Sequence, residues 1–420
     1  MFRKFWLDTI LGTAFIFGLM GFFGSVTAFN IFDMFDPIGD AFDDMEFTDI
    51  VFSQLRDDPV ADDRVILVNI SDLGRADIGM MLQIISGYNP ACIGIDSFFY
   101  EPRDEEDTVG VMGDMMLMEG LASVENLVLA EKLLFHESDP EKDSLAFSWE
   151  GFNQFADANA FVNLLTDAEE QEDLKMCRKF LPKHDINGEQ RVAFAIKMAS
   201  YYDSAAAAEF LERENVEEMI NYTGNVLDYG ATKFGTKFFA LDVPDVFNEN
   251  FTADMIEGKV VMFCYLGKYL GDRESLEDKF YTPLNEKYIG RAFPDMYGGV
   301  IHANIISMVL NRDYINYMSD TVGNLFGILL AWLNVVLFSW IYKRIPKWYD
   351  GMTKLFQLLE VTVLVFLLIY TMEAFSYKLE LTWGMVAVAL AGDSLEVYYG
   401  VVKNAFTKEG RKSLLKMDKL

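Results

Sequence analysis

Three places in this sequence hold side chains whose types and spacing suit chemistry. The first is Asp96, which closes the apolar run Ala91-Cys92-Ile93-Gly94-Ile95 and is followed by Asp104, Glu105, Glu106 and Asp107. Carboxylates at the carboxyl end of a buried strand stand where α/β folds place their ligands. Clustered oxygens would also suit a hard cation, although the spacing is not that of an EF-hand loop. A helix starting at Thr108 would draw the same acids to its positive end, with Asp107 as its cap. The second place is His302, one of three histidines. It would ligate a metal or titrate near neutrality, but His136 and His184 lie far off with no ligand spacing between them. A histidine hydrogen-bonded near a helix start is the plainer reading. The third is Arg75, which follows a strand and would bind an anion or pair with a carboxylate.

Other signatures are missing. No glycine-rich phosphate loop, nucleophile elbow or Cys–His pair appears. The residues therefore indicate no catalytic group and no cofactor, and the chain reads as a binder rather than an enzyme. A metal-dependent ectoenzyme built on the acidic cluster is kept as a third reading. Cys92, Cys177 and Cys264 are too few and too odd in number for a disulfide framework. Cys92 and Cys264 lie in apolar runs and read as buried thiols, bridgeable only if their strands adjoin.

The elements that must hold these residues follow from hydrophobic pattern. Arg64 to Ile70 and Lys259 to Tyr265 are short apolar runs rich in β-branched residues, as is Ala91 to Asp96, and all three predict buried strands. Between the runs Arg64 to Ile70 and Ala91 to Asp96, Arg75 to Tyr88 has helical spacing at Ile78, Met81, Leu82 and Ile85. Strand, helix, strand within about 30 residues is a βαβ unit with parallel strands. Helices are also predicted at 108–121, across most of 190–220, and at 300–310, and a further strand at 126–134. The fold class expected is an α/β domain with a central, largely parallel sheet.

Charge and hydropathy divide the chain. The formal net charge is -30 over 420 residues, and the stretch 30–320 alone holds about 56 acidic against about 22 basic side chains. Such a surface repels nucleic acid. Its plain meaning is solubility, with a cation or basic partner as the sharper alternative. Apolar segments at 5–29, 322–342, 355–372 and 381–402 are each long enough to cross a bilayer. The first would serve as an anchor, or as a leader ending at Val26-Thr27-Ala28. Arg3-Lys4, Lys343-Arg344, Lys347 and the lysine-rich tail 403–420 flank these segments, and basic flanks favour the cytoplasm. The expected topology is a multi-pass protein of a bacterial inner membrane, with an acidic connector at 30–63 and a periplasmic domain at 64–320. Asp393 and Glu396 share a helix face in the last segment, either near the inner interface or against a membrane partner. Gly323-xxx-Gly327 and Ala387-xxx-Ala391 would allow close helix approach, in a bundle or a homodimer.

Four stretches resemble the second type of CHASE domain, the cyclase- and histidine-kinase-associated sensory extracellular family. They are Val65 to Ile70 with Arg75; Ile93 to Pro102 with Asp107; Ile256 to Val261 leading to Gly267; and Tyr281-Thr282-Pro283 with Gly299-Val300-Ile301-His302-Ala303-Asn304-Ile305-Ile306. The family's tryptophan-proline element after the first strand is replaced here by Ser71-Asp72-Leu73-Gly74. The resemblance implies a sensor for a small molecule, ion or envelope protein, with Arg75, Asp96, Asp107, His302 and Asn304 as its candidate ligand-binding residues. In the family, three spans usually lead to an output domain. Only about 18 residues follow the third span here, too few to bury a core, so the expectation is a signal passed to a separate partner. A structural subunit of an envelope complex is the alternative.

Overall fold

A computed structural model describes residues 2–25, 49–104, 106–136, 143–166, 176–227, 236–285 and 293–403. The chain forms two compact units, one of Met1–Val51 with Asn316–Leu420 and one of Phe52–Ile315. Most of the connector predicted at 30–63, Glu105 and nearly all of the basic tail lie outside the described residues.

The first unit begins with helix α1 (Phe2–Ser25). The second holds β1 (Asp62–Asn69), α2 (Arg75–Ser86), β2 (Cys92–Ile95), α3 (Thr108–Ala122), β3 (Leu127–Leu134), β4 (Ser144–Phe147) and β5 (Ala158–Phe161). It continues with α4 (Phe194–Tyr202), α5 (Ser204–Leu211), β6 (Phe238–Leu241), β7 (Val260–Cys264) and α6 (Gly298–Asn311). Helices α7 (Asp320–Arg344), α8 (Tyr349–Phe375) and α9 (Thr382–Val397) return to the first unit.

The sheet runs β6-β1-β7-β2-β3-β4, with β5 also on β3. Every pair is parallel except β3 with β4. The predicted βαβ unit is present, but β7 slots between its two strands: Val65 to Asn69 pair with Val260 to Cys264, and Val260 to Phe263 with Cys92 to Ile95. Residues of β2 and β7 are buried without exception, as strands covered on both faces must be. Each fully buried Val, Ile or Phe contributes roughly 1.5–3 kcal/mol, which makes these strands the anchor of the domain.

Alternation along the strands then feeds two layers. Ile66, Val68, Ile93, Ile95, Val261 and Phe263 face α2 and α3, meeting Met81, Leu82, Ile85 and Leu117. Helices α4 and α6 cover the opposite face. There Gly299 lets α6 press onto the end of β7, since a β-carbon at that position would collide with Cys264 Sγ. Strands β2 and β7 do adjoin, but Cys92 lies beside Val260 while Cys264 lies beside Asn69. The three cysteines are free and buried.

The stretch 190–220 is mostly helical as expected, through α4 and α5, but its first residues belong to a hairpin. Lys183–Ile186 and Glu189–Val192 form an antiparallel hairpin, and only then do α4 and α5 follow. The hairpin turns on Asn187 and Gly188, both at positive φ, which is the geometry an Asn-Gly turn supplies.

Helices α1, α7, α8 and α9 pack as a bundle, and each is long and apolar enough to cross a membrane. The described parts of the spans expected at 5–29, 322–342, 355–372 and 381–402 fall on these four helices and, at 398–402, on the turn that continues α9; residues 26–29 lie outside the described residues. Gly327 and Gly384 let α7 and α9 approach each other: a β-carbon on Gly327 would sit 3.1 Å from the Gly384 Cα. Ala387 and Ala391 are buried in the same seam, which is how small residues bring apolar helices together. Trp6 of α1 stacks on Trp332 of α7 at 5.7 Å, and Lys403 reaches Asp8 at 2.5 Å. Asn334 of α7 donates to Glu360 of α8 at 2.9 Å.

Candidate functional site

The parallel strands end together, so their carboxyl edge gathers polar groups. Asn69 closes β1 and is fully buried. Its amide donates to Asp242 Oδ1 (2.9 Å) and to the Gly267 carbonyl (3.0 Å), and its Oδ1 accepts from the Ser71 and Leu266 amides. Asp242, just after β6, also accepts from the Leu270 amide at 3.0 Å. Two strands along from β1, across β7, Asp96 Oδ2 lies 3.9 Å from His302 Nε2 in the first turns of α6. The Asp96 side chain is 14% exposed and that of His302 4%.

Burial decides the charge here. It pushes the Asp96 carboxyl up to about 8, helped by the negative charge of Asp278. It pushes His302 down to about 4 against a weaker opposing contact with the Val162 backbone. The Cys264 thiol rises well above its ordinary value, first by burial and then by the fields of Asp96 and Asp278. At neutral pH the pair is therefore a largely protonated carboxyl beside a neutral imidazole. At 3.9 Å the two side chains lie side by side without a direct hydrogen bond. Among the described residues, no group of three or more His, Cys, Asp or Glu side chains is placed to hold a metal.

Of the residues singled out from sequence, Asp96 and His302 are brought together, and the others are not with them. Arg75 opens α2 and reaches Asp114 of α3 at 2.6 Å and the Glu101 carbonyl at 2.7 Å. Its guanidinium also lies over the rings of Phe99 and Phe152. It ties two helices and a loop. Asp107 caps α3 by accepting from the Gly110 amide at 3.0 Å. Asn304, fully buried on α6, accepts from the Thr223 amide (2.9 Å) and donates to the carbonyls of Gly224 and Val300 (2.9 Å each). It staples the 223–224 loop to the helix. In the bundle, Asp393 takes Lys354 at 3.4 Å, and both Asp393 and Glu396 are exposed on α9.

The opposite, amino edge of the sheet holds a cleft of about 390 Å³. Arg56, Asp57 and residues 59–64 line it together with Thr223, Lys237 and Asn311. Asp62 starts β1 and is chelated by Arg64 through Nε (2.8 Å) and Nη2 (2.7 Å). Arg64 also donates to Asn311 Oδ1 at 2.8 Å, and Ser307 donates to Asp62 at 2.6 Å. These bonds join the segment by which the chain comes into the domain to the helix by which it leaves. The hydrogen bonds from Arg64 and Ser307 hold the Asp62 carboxyl at about 2 against the opposing effect of burial. Arg56, Thr223 and Lys237 had no signal of their own in the sequence. The parallel pairing of Asp62 with Phe238 assembles them, and single basic residues in an acidic chain do not announce such a pairing.

Comparison with known proteins agrees with this architecture. The sequence model of the CHASE2 domain matches residues 39–341, which takes in the whole α/β unit and most of α7. Neither the curated proteins nor the solved structures yield a match. The matched stretch is most of the chain, and its motif residues have physical work in the fold: Gly299 seats α6, His302 meets Asp96, and Asn304 staples a loop. This chain belongs to the CHASE2 domain family, a sensory domain carried together with four candidate membrane spans.

Proposed function

We propose that the chain is a multi-pass sensor of a bacterial inner membrane, its α/β domain facing the periplasm and binding a ligand rather than transforming one. One observation carries the reading. The incoming segment and the outgoing helix α6 are bonded to each other at the amino edge, through Arg64–Asn311 and Asp62–Ser307. A ligand that alters this junction changes the spacing of the two connections that continue to α1 and α7. The basic flanks of the spans support the orientation. The signal then passes to a separate membrane partner, for which the exposed Asp393 and Glu396 of α9 are the contact. Those same two acids favour a second reading, a structural subunit of an envelope complex. A stable stoichiometric partner on purification would support that alternative.

Two measurements test the sensor. In intact cells, an impermeant maleimide labels Val216→Cys in the domain and spares Lys408→Cys in the tail until the membrane is opened. The reverse pattern overturns the topology. In membranes, Ser307→Ala with Arg64→Ala changes crosslinking between cysteines placed on α1 and α7, and an unchanged yield overturns the coupling.

A further inference from the structure

The domain is strongly acidic, yet two of the basic side chains at the amino-edge cleft have no carboxylate partner. Arg64 is committed to Asp62 and Asn311. Arg56 and Lys237 are not committed in this way. Arg56 Nη1 donates to the Tyr222 carbonyl at 2.6 Å, and its guanidinium lies 4.2 Å from the Phe52 ring centroid. Lys237 is 7% exposed and donates to Thr223 Oγ1 at 2.5 Å. Among the described residues neither makes an ion pair with an acid. The acid whose field reaches both, Asp313, is exposed. Burial pushes Arg56 down to about 10 and also lowers Lys237, on which the attraction of Asp62 and Asp313 is opposed by the repulsion of Arg64 and Arg56.

A buried cation without a paired acid is costly, and here the buried Lys237 and the half-buried Arg56 converge on one opening, with Asp57 and Asp63 exposed along it. Guanidinium has five donors and ammonium three, so most remain for a ligand. A fork of N–H groups beside a point charge matches an oxyanion with two or more oxygens. The cleft exceeds what one such group fills, and its volume lies in the range of small-molecule sites. Exposed Val60 at its rim gives an organic body something to lie on.

We propose that this cleft binds a small organic oxyanion, a carboxylate or a phosphoryl compound, held by Arg56 and Lys237 at the junction of the incoming segment and α6. The proposal names the ligand class of the sensor and rests on that reading for its meaning, though not for the binding itself. Thr223 aligns Lys237, and Asn304 holds Thr223 in turn. A ligand thus couples loop 223–224, strand β1 and helix α6.

The test uses the full chain in lipid nanodiscs, titrated by calorimetry with inorganic phosphate and with succinate, and with putrescine and glycerol as controls. At least one anion is expected to bind and the controls are not. Succinate alone identifies a carboxylate ligand, and phosphate alone a phosphoryl one. Lys237→Met and Arg56→Gln are each expected to weaken binding 10-fold or more, while Asp96→Asn at the far edge leaves it unchanged. Lys237→Arg, which keeps the charge, retains most of the affinity, and a melting curve confirms that each variant is folded. Binding of neither anion, or equal binding by folded Lys237→Met, overturns the proposal. Anion binding with unchanged α1–α7 crosslinking would leave the site standing and remove the sensor mechanism.

Discussion

At the carboxyl edge of the sheet, Asn69, Asp242 and the Gly267 loop spend their hydrogen-bonding groups on one another, and Asp96 with His302 is largely uncharged at neutral pH. At the amino edge, Arg56 and Lys237 keep charge without a paired acid and face an open cleft. The general rule for open α/β sheets puts ligands outside the carboxyl ends of the strands. In this molecule the Asn69 network stands there, beside a neutral His302 whose buried Nδ1 has no hydrogen-bond partner, and the unpaired charge stands at the other end. The difference teaches that position on a fold is a weaker guide than whether the polar groups already have partners.

The comparison breaks first at Asn69. Asn69→Ala leaves at least two buried partners unpaired and should cost about 3 kcal/mol, read as a lower midpoint in denaturant titration of the full chain. A neutral result would mean that the carboxyl edge is not closed. Asn304→Ala should cost about 2 kcal/mol for the same reason. It should also weaken oxyanion binding, because Thr223 loses its hold; binding at full strength would cut the link between α6 and the cleft.

The pH profile sharpens the contrast. Asp96 is raised to about 8 when folded, so the folded state binds its proton more tightly and stability is lost as pH climbs from about 4 toward 8. His302 is lowered to about 4, so its contribution is lost as pH falls from about 6.5 toward 4. Asp96→Asn should remove the alkaline loss and leave the acid one, seen in melting curves from pH 4 to 9. An alkaline loss that persists in Asp96→Asn would show that the carboxyl is ionised after all. Lys237→Met gives the smallest effect and the most telling sign. Replacing a buried, unpaired ammonium by a methionine should stabilise the ligand-free chain by up to about 1 kcal/mol. Destabilisation would mean that Lys237 is fully satisfied by Thr223.

Much of the fold was legible because its strongest signals are local. The runs that became β1, β2 and β7 are apolar and β-branched, and the spacing of Ile78, Met81, Leu82 and Ile85 describes α2. The four spans are long enough to be read by length alone. The short strands were harder: β6 is four residues with one exposed phenylalanine, and β4 has no fully buried residue. The hairpin at 183–192 had its Asn-Gly turn in plain view, but the alanine-rich helix after it dominated the window. Asp96 and His302 could each be picked out as candidates, since one ends a strand and the other starts a helix. The cleft was hidden because its cations meet only through pairing between residues far apart in the chain.

Helix α6 carries His302 near its start, Asn304 and Ser307 along its length, and Asn311 at its end. At 1.5 Å per residue it is a rod of about 20 Å, packed along its length, and it delivers a small tilt at one tip as a displacement at the other. A genetic screen for unresponsive variants would therefore recover changes at His302 or Gly299 that never touch a ligand, and mapping such hits onto a binding pocket would misplace it by the length of that rod.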